Sequence, residues 1–139
     1  MAGSPQDRVA LENMVADELQ SGERVLAILP YAHVPARPKG PAGKVREGIY
    51  QSARRYRPIV VTDQRVILFE TGRTHFPRGI LAEFANVDVE VVSVTPGSLG
   101  KTRLVLELPE VGEVPFETGR NEQDDLAVLV ETIGPARAI

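Results

Sequence analysis

The stretch that most constrains the fold lies at residues 57–70, where two short apolar runs flank a polar turn. The runs at 59–61 and 66–69 are rich in Val, Ile and Phe, and Thr62-Asp63-Gln64-Arg65 separates them. Short β-branched runs on both sides of a tight polar turn are typical of a β-hairpin. Asp63 favours the turn because its carboxylate can accept a backbone N–H two residues further on. Since both runs are apolar, the pattern predicts a central pair of strands with at least one face buried.

Five further segments have the alternation or the short apolar run of a strand. They lie at residues 24–30, 79–84, 87–94, 103–108 and 114–117. Pro115 cannot donate a hydrogen bond within a sheet, so the last segment is predicted to be an edge strand or to carry a bulge. No alternation of strands with helices indicates a parallel sheet. The sequence therefore predicts seven antiparallel strands in a sandwich or a partly open barrel.

Two helices are predicted, one towards each end of the chain. The first begins at Pro5, which suits the first helical position, carries apolar residues at helical spacing, and is expected to stop at Gly22. The second is capped by Asn121, with acidic residues in its first turn, and stops at Gly134. Its apolar stripe has the spacing i, i+3, i+4, i+7 and consists of Leu126, Leu129, Val130 and Ile133.

At 139 residues, the chain is long enough for one domain with a substantial core. We predict an N-terminal helical extension at residues 1–21, a β-rich domain at residues 22–134 and a tail at residues 135–139. Residues 31–56 form a long connection rich in Pro, Gly and basic side chains. A connection of that length inside a compact domain is either functional or disordered.

Composition argues against several classes of function. The chain has no cysteine, which excludes disulfides, zinc–thiolate sites and thiol catalysis. No apolar run approaches the roughly 20 residues that a membrane-spanning helix needs, so a cytoplasmic location is expected. His33 and His75 lie far apart in sequence, and neither has a carboxylate at the spacing of a catalytic pair. We therefore predict no catalytic residue, no metal site and no cofactor.

The charges are distributed unevenly along the chain. Between Pro35 and Pro58 there are seven basic residues and one acidic residue, whereas between Glu83 and Glu131 there are eleven acidic residues and three basic ones. Such a separation indicates electrostatic contacts with a charged partner or between copies of the chain. Nucleic acid is not a predicted partner, because the chain is acidic overall and few aromatic residues accompany the basic ones.

The order of elements resembles the pleckstrin-homology (PH)-like fold, specifically the bacterial PH-like domains of the YokE-like type. The resemblance covers about residues 22–134 and is supported by the run at 88–94 and the closing helix. Two features depart from it, namely the long connection after the first strand and the added N-terminal helix. The resemblance implies a seven-stranded sandwich capped by a C-terminal helix, and a binding or assembly module rather than a catalyst. The motifs that carry it are Gly22-Glu23-Arg24-Val25-Leu26 and Val60-Val61-Thr62-Asp63-Gln64-Arg65-Val66-Ile67-Leu68-Phe69.

The resemblance implies a first candidate site in the basic connection. In eukaryotic PH domains this loop often carries a Lys and, after a spacer, a basic-x-Arg pattern, as do Lys44 and Arg55-Tyr56-Arg57 here. Alternate residues on a strand would put Arg55 and Arg57 on one face, where they could hold a phosphate. Alternatively, these are solvated loop charges, or they pair with the acidic half of the same or a neighbouring molecule. The predicted lipid or phosphate ligands are Lys44, Arg54, Arg55 and Arg57.

A second candidate is the groove between the strand at 87–94 and the last helix. In the related phosphotyrosine-binding arrangement, a peptide adds a strand to that sheet edge. The alternative is that a terminal helix of the chain covers this edge. The groove residues are Val91, Val92, Val94, Leu126 and Val130.

Together these patterns predict a non-enzymatic interaction module that acts through protein contacts, with self-association favoured by the separated charges. The alternative function is peripheral binding of an anionic membrane lipid or a phosphorylated ligand through the basic connection.

Overall fold

The structure is a computed structural model that describes residues 5–34, 49, 56–71 and 77–134. Within these residues the chain forms two α-helices, seven strands and three short 3-10 turns. The helices and strands are α1 (Pro5–Ala16), β1 (Val25–Leu29), β2 (Ile59–Thr62), β3 (Arg65–Thr71), β4 (Pro77–Ala85), β5 (Glu90–Pro96), β6 (Thr102–Leu108), β7 (Gly112–Thr118) and α2 (Gln123–Ile133). The 3-10 turns are Asn86–Asp88, Ser98–Gly100 and Arg120–Glu122.

The strands form two antiparallel sheets with the orders β1-β2-β3-β4 and β5-β6-β7. The predicted sandwich is confirmed, and the sheets are not closed into a barrel. At one corner His33 makes isolated bridges to both Tyr56 and Glu117, which bring the end of β1 beside β7. β7 is the outer strand of its sheet, as Pro115 predicted.

The hairpin of β2 and β3 is the centre of the four-stranded sheet, as predicted. Val61 pairs with Val66, and Val60 pairs with Ile67. Every residue of β2 is buried, and so are residues 65–69 of β3. Strands buried on both faces are continuously apolar rather than alternating, which explains the two uninterrupted runs in the sequence.

One face of this sheet contributes to the main core between the two sheets. Val61 and Leu68 lie there with Leu104 and Phe116 of the second sheet, each with no exposed surface. α2 closes this core with Leu126 and Leu129 and packs mainly against β1. The apolar stripe predicted for the last helix therefore faces the interior.

The opposite face of the four-stranded sheet is covered by α1. Leu11 and Val15 of α1 form a second core cluster with Ile28, Ile67 and Phe69, all nearly free of solvent contact. Arg8 of α1 also pairs with Asp125 of α2 at 2.6 Å. An isolated helix of twelve residues is marginal in water, and this packing supplies the missing stabilisation.

Three local predictions are wrong. α1 ends at Ala16, well before Gly22, because the following turn directs the Glu18 carbonyl to the Arg65 side chain. Asn121 does not cap α2, since it lies within a 3-10 turn that precedes the helix. In the hairpin, the carboxylate of Asp63 accepts the backbone N–H of Arg24 rather than one within its own turn.

A buried ion pair organises the start of β3. Arg65 donates from Nε to Glu23 at 2.9 Å, from Nη1 to Glu83 at 2.7 Å and from Nη2 to the carbonyl of Glu18 at 2.7 Å. The Thr62 hydroxyl donates to Glu23 at 2.6 Å. Burial opposes ionisation of Glu23, but the hydrogen bonds from Arg65 and Thr62 outweigh it and lower the pKa of Glu23 to about 2.

Replacement of Glu23 by Gln should destabilise the protein and reduce its sensitivity to acid. Ionised Glu23 stabilises the fold above its unfolded pKa of about 4.3, and this contribution is lost as the pH falls towards about 2. At pH 7 the variant leaves Arg65 without its buried counter-charge, which should cost about 3 kcal/mol of unfolding free energy. Urea unfolding between pH 2 and pH 7 measures both effects. Asp17→Asn, at an exposed site, is the control, and equal stability of Glu23→Gln and wild type at pH 7 would refute the prediction.

Candidate functional site

The five groove residues predicted from the sequence separate into an interior set and an exposed set. Val91 and Leu126 are 4% and 3% exposed and belong to the main core, and Val130 packs against that core. Val92 and Val94 are 38% and 43% exposed. Of the predicted groove residues, only Val92 and Val94 thus form exposed apolar surface, and both lie on the edge strand β5.

β5 is an edge strand, because its partner β6 lies on one side only. It carries a bulge at Val92, which lies between Val91, paired with Leu106, and Ser93, paired with Val105. Among the residues that the structure describes, five large hydrophobic side chains are exposed, and four lie on β5 or within three residues of its ends. These four are Val87, Val92, Val94 and Leu99.

The predicted phosphate ligands cannot be assembled into one site from the described residues. Lys44, Arg54 and Arg55 lie outside them. Arg57 is only 3% exposed, and it donates from Nε to the carbonyl of Ile49 and from Nη1 to its neighbour Tyr56, both at 3.1 Å. Arg57 thus faces the interior instead of sharing a solvent-facing surface, because it lies two residues before a strand that is buried on both faces.

A cavity of about 480 Å³ lies beside the end of β1. The rings of Tyr31 and Tyr56 meet edge-to-face in its wall, with centroids 5.3 Å apart. Lys101 and Arg120 line the same cavity, and within the described part of the chain neither forms an ion pair. The cavity thus combines aromatic surface with positive charge.

The sequence did not predict the pair formed by His33 and Glu117, whose Nε2 and Oε1 atoms are 3.3 Å apart. His33 has no carboxylate at catalytic spacing in the sequence, but its bridge to Glu117 of β7 brings together two residues that are far apart along the chain. His75 lies outside the described residues. Within residues 5–34, 49, 56–71 and 77–134, no group of three or more His, Asp or Glu side chains could hold a metal ion.

Glu122 forms part of the cavity lining and is itself 3% exposed. Its carboxylate accepts the backbone N–H of Gly119 at 2.7 Å and that of Tyr31 at 2.8 Å. Burial raises the pKa of Glu122, and these two N–H donors oppose the rise. Glu122 therefore ties the end of β1 to the turn before α2. A sequence signal for it exists, since an acidic residue three positions after a glycine at a helix start can bond backwards.

Solved structures provide the one informative comparison. The Vps36 N-terminal PH domain is 18% identical to this chain, with a TM-score of 0.52, over 83% of this chain and 82% of that chain. No protein-family model and no curated protein sequence matches. At this identity the likeness shows the fold alone. The chain thus has a PH-like fold, in agreement with the resemblance seen in its sequence.

None of the described helices is long and apolar enough to cross a membrane.

Glu122→Ala should destabilise the protein by about 2 kcal/mol or more. The substitution leaves the N–H groups of Tyr31 and Gly119 without their acceptor, and each unsatisfied buried group costs about 1–3 kcal/mol. Thermal and urea unfolding measure the loss. Asp124→Ala removes an exposed carboxylate from the first turn of the same helix and is the matched control. Equal losses in the two variants would contradict the role assigned to Glu122.

Proposed function

We propose that this chain is a non-enzymatic interaction module that acts through protein contacts, and that it self-associates through the edge of β5. The observation that carries the proposal is the concentration of exposed apolar side chains on and around this one edge strand. An edge strand presents unpaired backbone N–H and C=O groups, which a second strand can satisfy. The PH-like fold supports an interaction module as the class of function, and the exposed edge of β5 supports self-association as the way in which it acts.

A second copy of β5 fits this edge without electrostatic conflict. In an antiparallel pair centred on Ser93, Val92 lies opposite Val94, and Glu90 lies opposite Pro96. Cross-strand apolar pairs stabilise a sheet, and no two carboxylates meet in this register. The result is a dimer in which the two three-stranded sheets form one continuous sheet.

The other sheet edges are less suited to self-pairing. The backbone N–H of Ile28 in β1 already donates to Asp125 at 3.3 Å. β4 pairs with β3 through two register irregularities, against one in β5, and its Glu83 is engaged by Arg65. β7 contains Pro115 in its interior, which cannot donate to a new ladder, whereas the proline of β5 is its last residue, Pro96. β5 is therefore the edge best suited to self-pairing in the described part of the chain.

We further propose that the chain belongs with the bacterial YokE-like PH domains and acts in the cytoplasm. The hairpin motif at residues 60–69 and the PH-like fold support the family placement. The cysteine-free composition is compatible with a reducing compartment.

The alternative function is peripheral binding of an anionic membrane lipid or phosphorylated ligand. The seven basic residues between Pro35 and Pro58 support it, and each cation near an anionic membrane contributes about 1 kcal/mol. Lys44, Arg54 and Arg55 are the proposed ligands. Arg57 is omitted because its guanidinium is buried and bonded to backbone carbonyls.

Val92→Lys/Val94→Lys should weaken self-association about tenfold or more. The substitutions remove the apolar pairs across the dimer axis and set like charges against each other. Sedimentation velocity at about 0.5 M salt, over a range of protein concentrations, measures the dissociation constant. Val9→Lys, on the exposed side of α1, is the control for adding a lysine at an exposed valine. The β5 dimer is refuted if the double variant dimerises as strongly as wild type.

If the alternative function holds, the chain will co-sediment with anionic liposomes and not with neutral ones. Because the attraction is electrostatic, binding should fall between low and moderate salt and be lost in Arg54→Glu/Arg55→Glu. Arg78→Glu reverses an exposed charge outside the basic connection and is the control. Absence of binding to anionic liposomes at low salt would eliminate this alternative.

A further inference from the structure

The two turns at opposite ends of the three-stranded sheet share an unusual backbone feature. Leu99, between β5 and β6, has a φ of 56°, and Glu110, between β6 and β7, has a φ of 64°. In the part of the chain that the structure describes, they are the two non-glycine residues with positive φ. Glycine adopts this conformation more easily than any residue with a Cβ atom. The backbone conformation at these two positions therefore favours glycine, and the presence of Leu99 and Glu110 calls for another reason.

The turn at one end presents an apolar tip surrounded by positive charge. Leu99 is 85% exposed, the highest fraction among the exposed large hydrophobic side chains. The guanidinium of Arg120 lies directly against Gly100, next to Leu99 in the chain. Arg120 and Lys101 line one cavity together with Leu99, and neither forms an ion pair within the described residues. We call residues 97–100, together with these two cations, the Leu99 turn.

The opposite end is an open, negatively charged hollow of about 590 Å³. We call it the acidic hollow, and it is lined by Asp88, Glu90, Glu107, Pro109 and Glu110 among others. Across the strands, Glu90 is paired with Glu107, and Glu107 is paired in turn with Glu113.

Like charges directly opposite each other destabilise a sheet. Within the described residues no cation pairs with the acidic side chains of the hollow. The monomer therefore gains nothing from this row of three carboxylates, and a positively charged partner would relieve the repulsion.

We infer that the acidic hollow of one copy binds the Leu99 turn of a second copy. Leu99 enters the hollow and packs against Pro109, while Lys101 and Arg120 face Glu107 and Glu110. The two surfaces are complementary in charge, since neither the cations of the Leu99 turn nor the carboxylates of the acidic hollow form an ion pair within the described residues.

The contact is head-to-tail, because it joins two different surfaces of the same chain. Such a contact leaves one free end of each kind and continues into rings or open chains of copies. This inference rests on the proposed self-association, but it uses side chains at the two ends of the three-stranded sheet and not the backbone pairing of β5. The two contacts also differ in their response to salt. Exposed charges are screened at high ionic strength, whereas backbone pairing and apolar burial are not.

Charge reversal tests the contact in the full-length chain. One variant carries Lys101→Glu/Arg120→Glu, and the other carries Glu107→Lys/Glu110→Lys. Each variant has the same sign of charge at both ends, so at about 0.02 M salt each should assemble beyond the β5 dimer at least tenfold more weakly than wild type. An equimolar mixture of the two should recover the association, because each end then finds its opposite. Sedimentation velocity measures the mass distribution in all three samples.

The controls separate this contact from the β5 dimer and from misfolding. Arg78→Glu and Glu70→Lys reverse exposed charges elsewhere and should associate as wild type does. Glu107→Lys removes a like-charge row, so the variant should unfold at the same or a higher temperature than wild type. At about 0.5 M salt, both reversal variants should keep the β5 dimer, which Val92→Lys/Val94→Lys loses.

Leu99→Gly tests the apolar tip without adding charge. Glycine accepts the positive φ, so the melting temperature should stay the same or rise, while low-salt assembly beyond the β5 dimer falls at least tenfold. The head-to-tail contact is overturned if the reversal variants assemble like wild type, if their mixture fails to recover assembly, or if wild type shows no salt-sensitive association. Wild-type-like assembly of Leu99→Gly would overturn the placement of Leu99 in the hollow.

Discussion

The buried pair between Arg65 and Glu23 is the interaction on which the rest of the architecture depends. The Arg65 guanidinium reaches the segment before β1 through Glu23, the segment after α1 through the Glu18 carbonyl, and β4 through Glu83. One side chain thus fixes three parts of the chain relative to the central hairpin. A buried charge is costly unless it is paired and fully hydrogen-bonded. The network therefore makes alternative positions of these segments unfavourable.

This arrangement determines which surfaces remain for partners. α1 is anchored over the outer face of the four-stranded sheet, where Leu11 and Val15 bury apolar residues of β1, β2 and β3. α2 closes the space between the sheets and packs mainly against β1. The three-stranded sheet has no comparable cover in the described residues. Its outward side chains Arg103, Glu107 and Glu113 are exposed. The proposed contacts accordingly lie on β5 and at the two ends of this sheet.

Local patterns in the sequence were sufficient for most secondary-structure elements. The two apolar runs around Thr62–Arg65 predicted the hairpin, because short-range alternation and turn chemistry act within a few residues. The stripe of Leu126 and Leu129 predicted the inward face of α2 for the same reason. Helix boundaries were predicted less well. α2 stops before Gly134 as predicted, but the end of α1 and the start of α2 lie beside contacts with Arg65 and Tyr31, which are far away in the sequence.

The sequence by itself therefore determined the class of fold, the number of strands and the separation of charge, since these depend on composition and local periodicity. Only the tertiary structure decided which charges are available. It buried Arg57, paired His33 with Glu117, aligned Glu90 with Glu107, and left Lys101 and Arg120 without an ion pair among the described residues. These outcomes depend on strand order and register, which bring together residues that are distant in the chain. The type of a charged residue does not reveal whether its side chain is buried, paired or exposed, because these properties depend on neighbours that only the folded chain brings close.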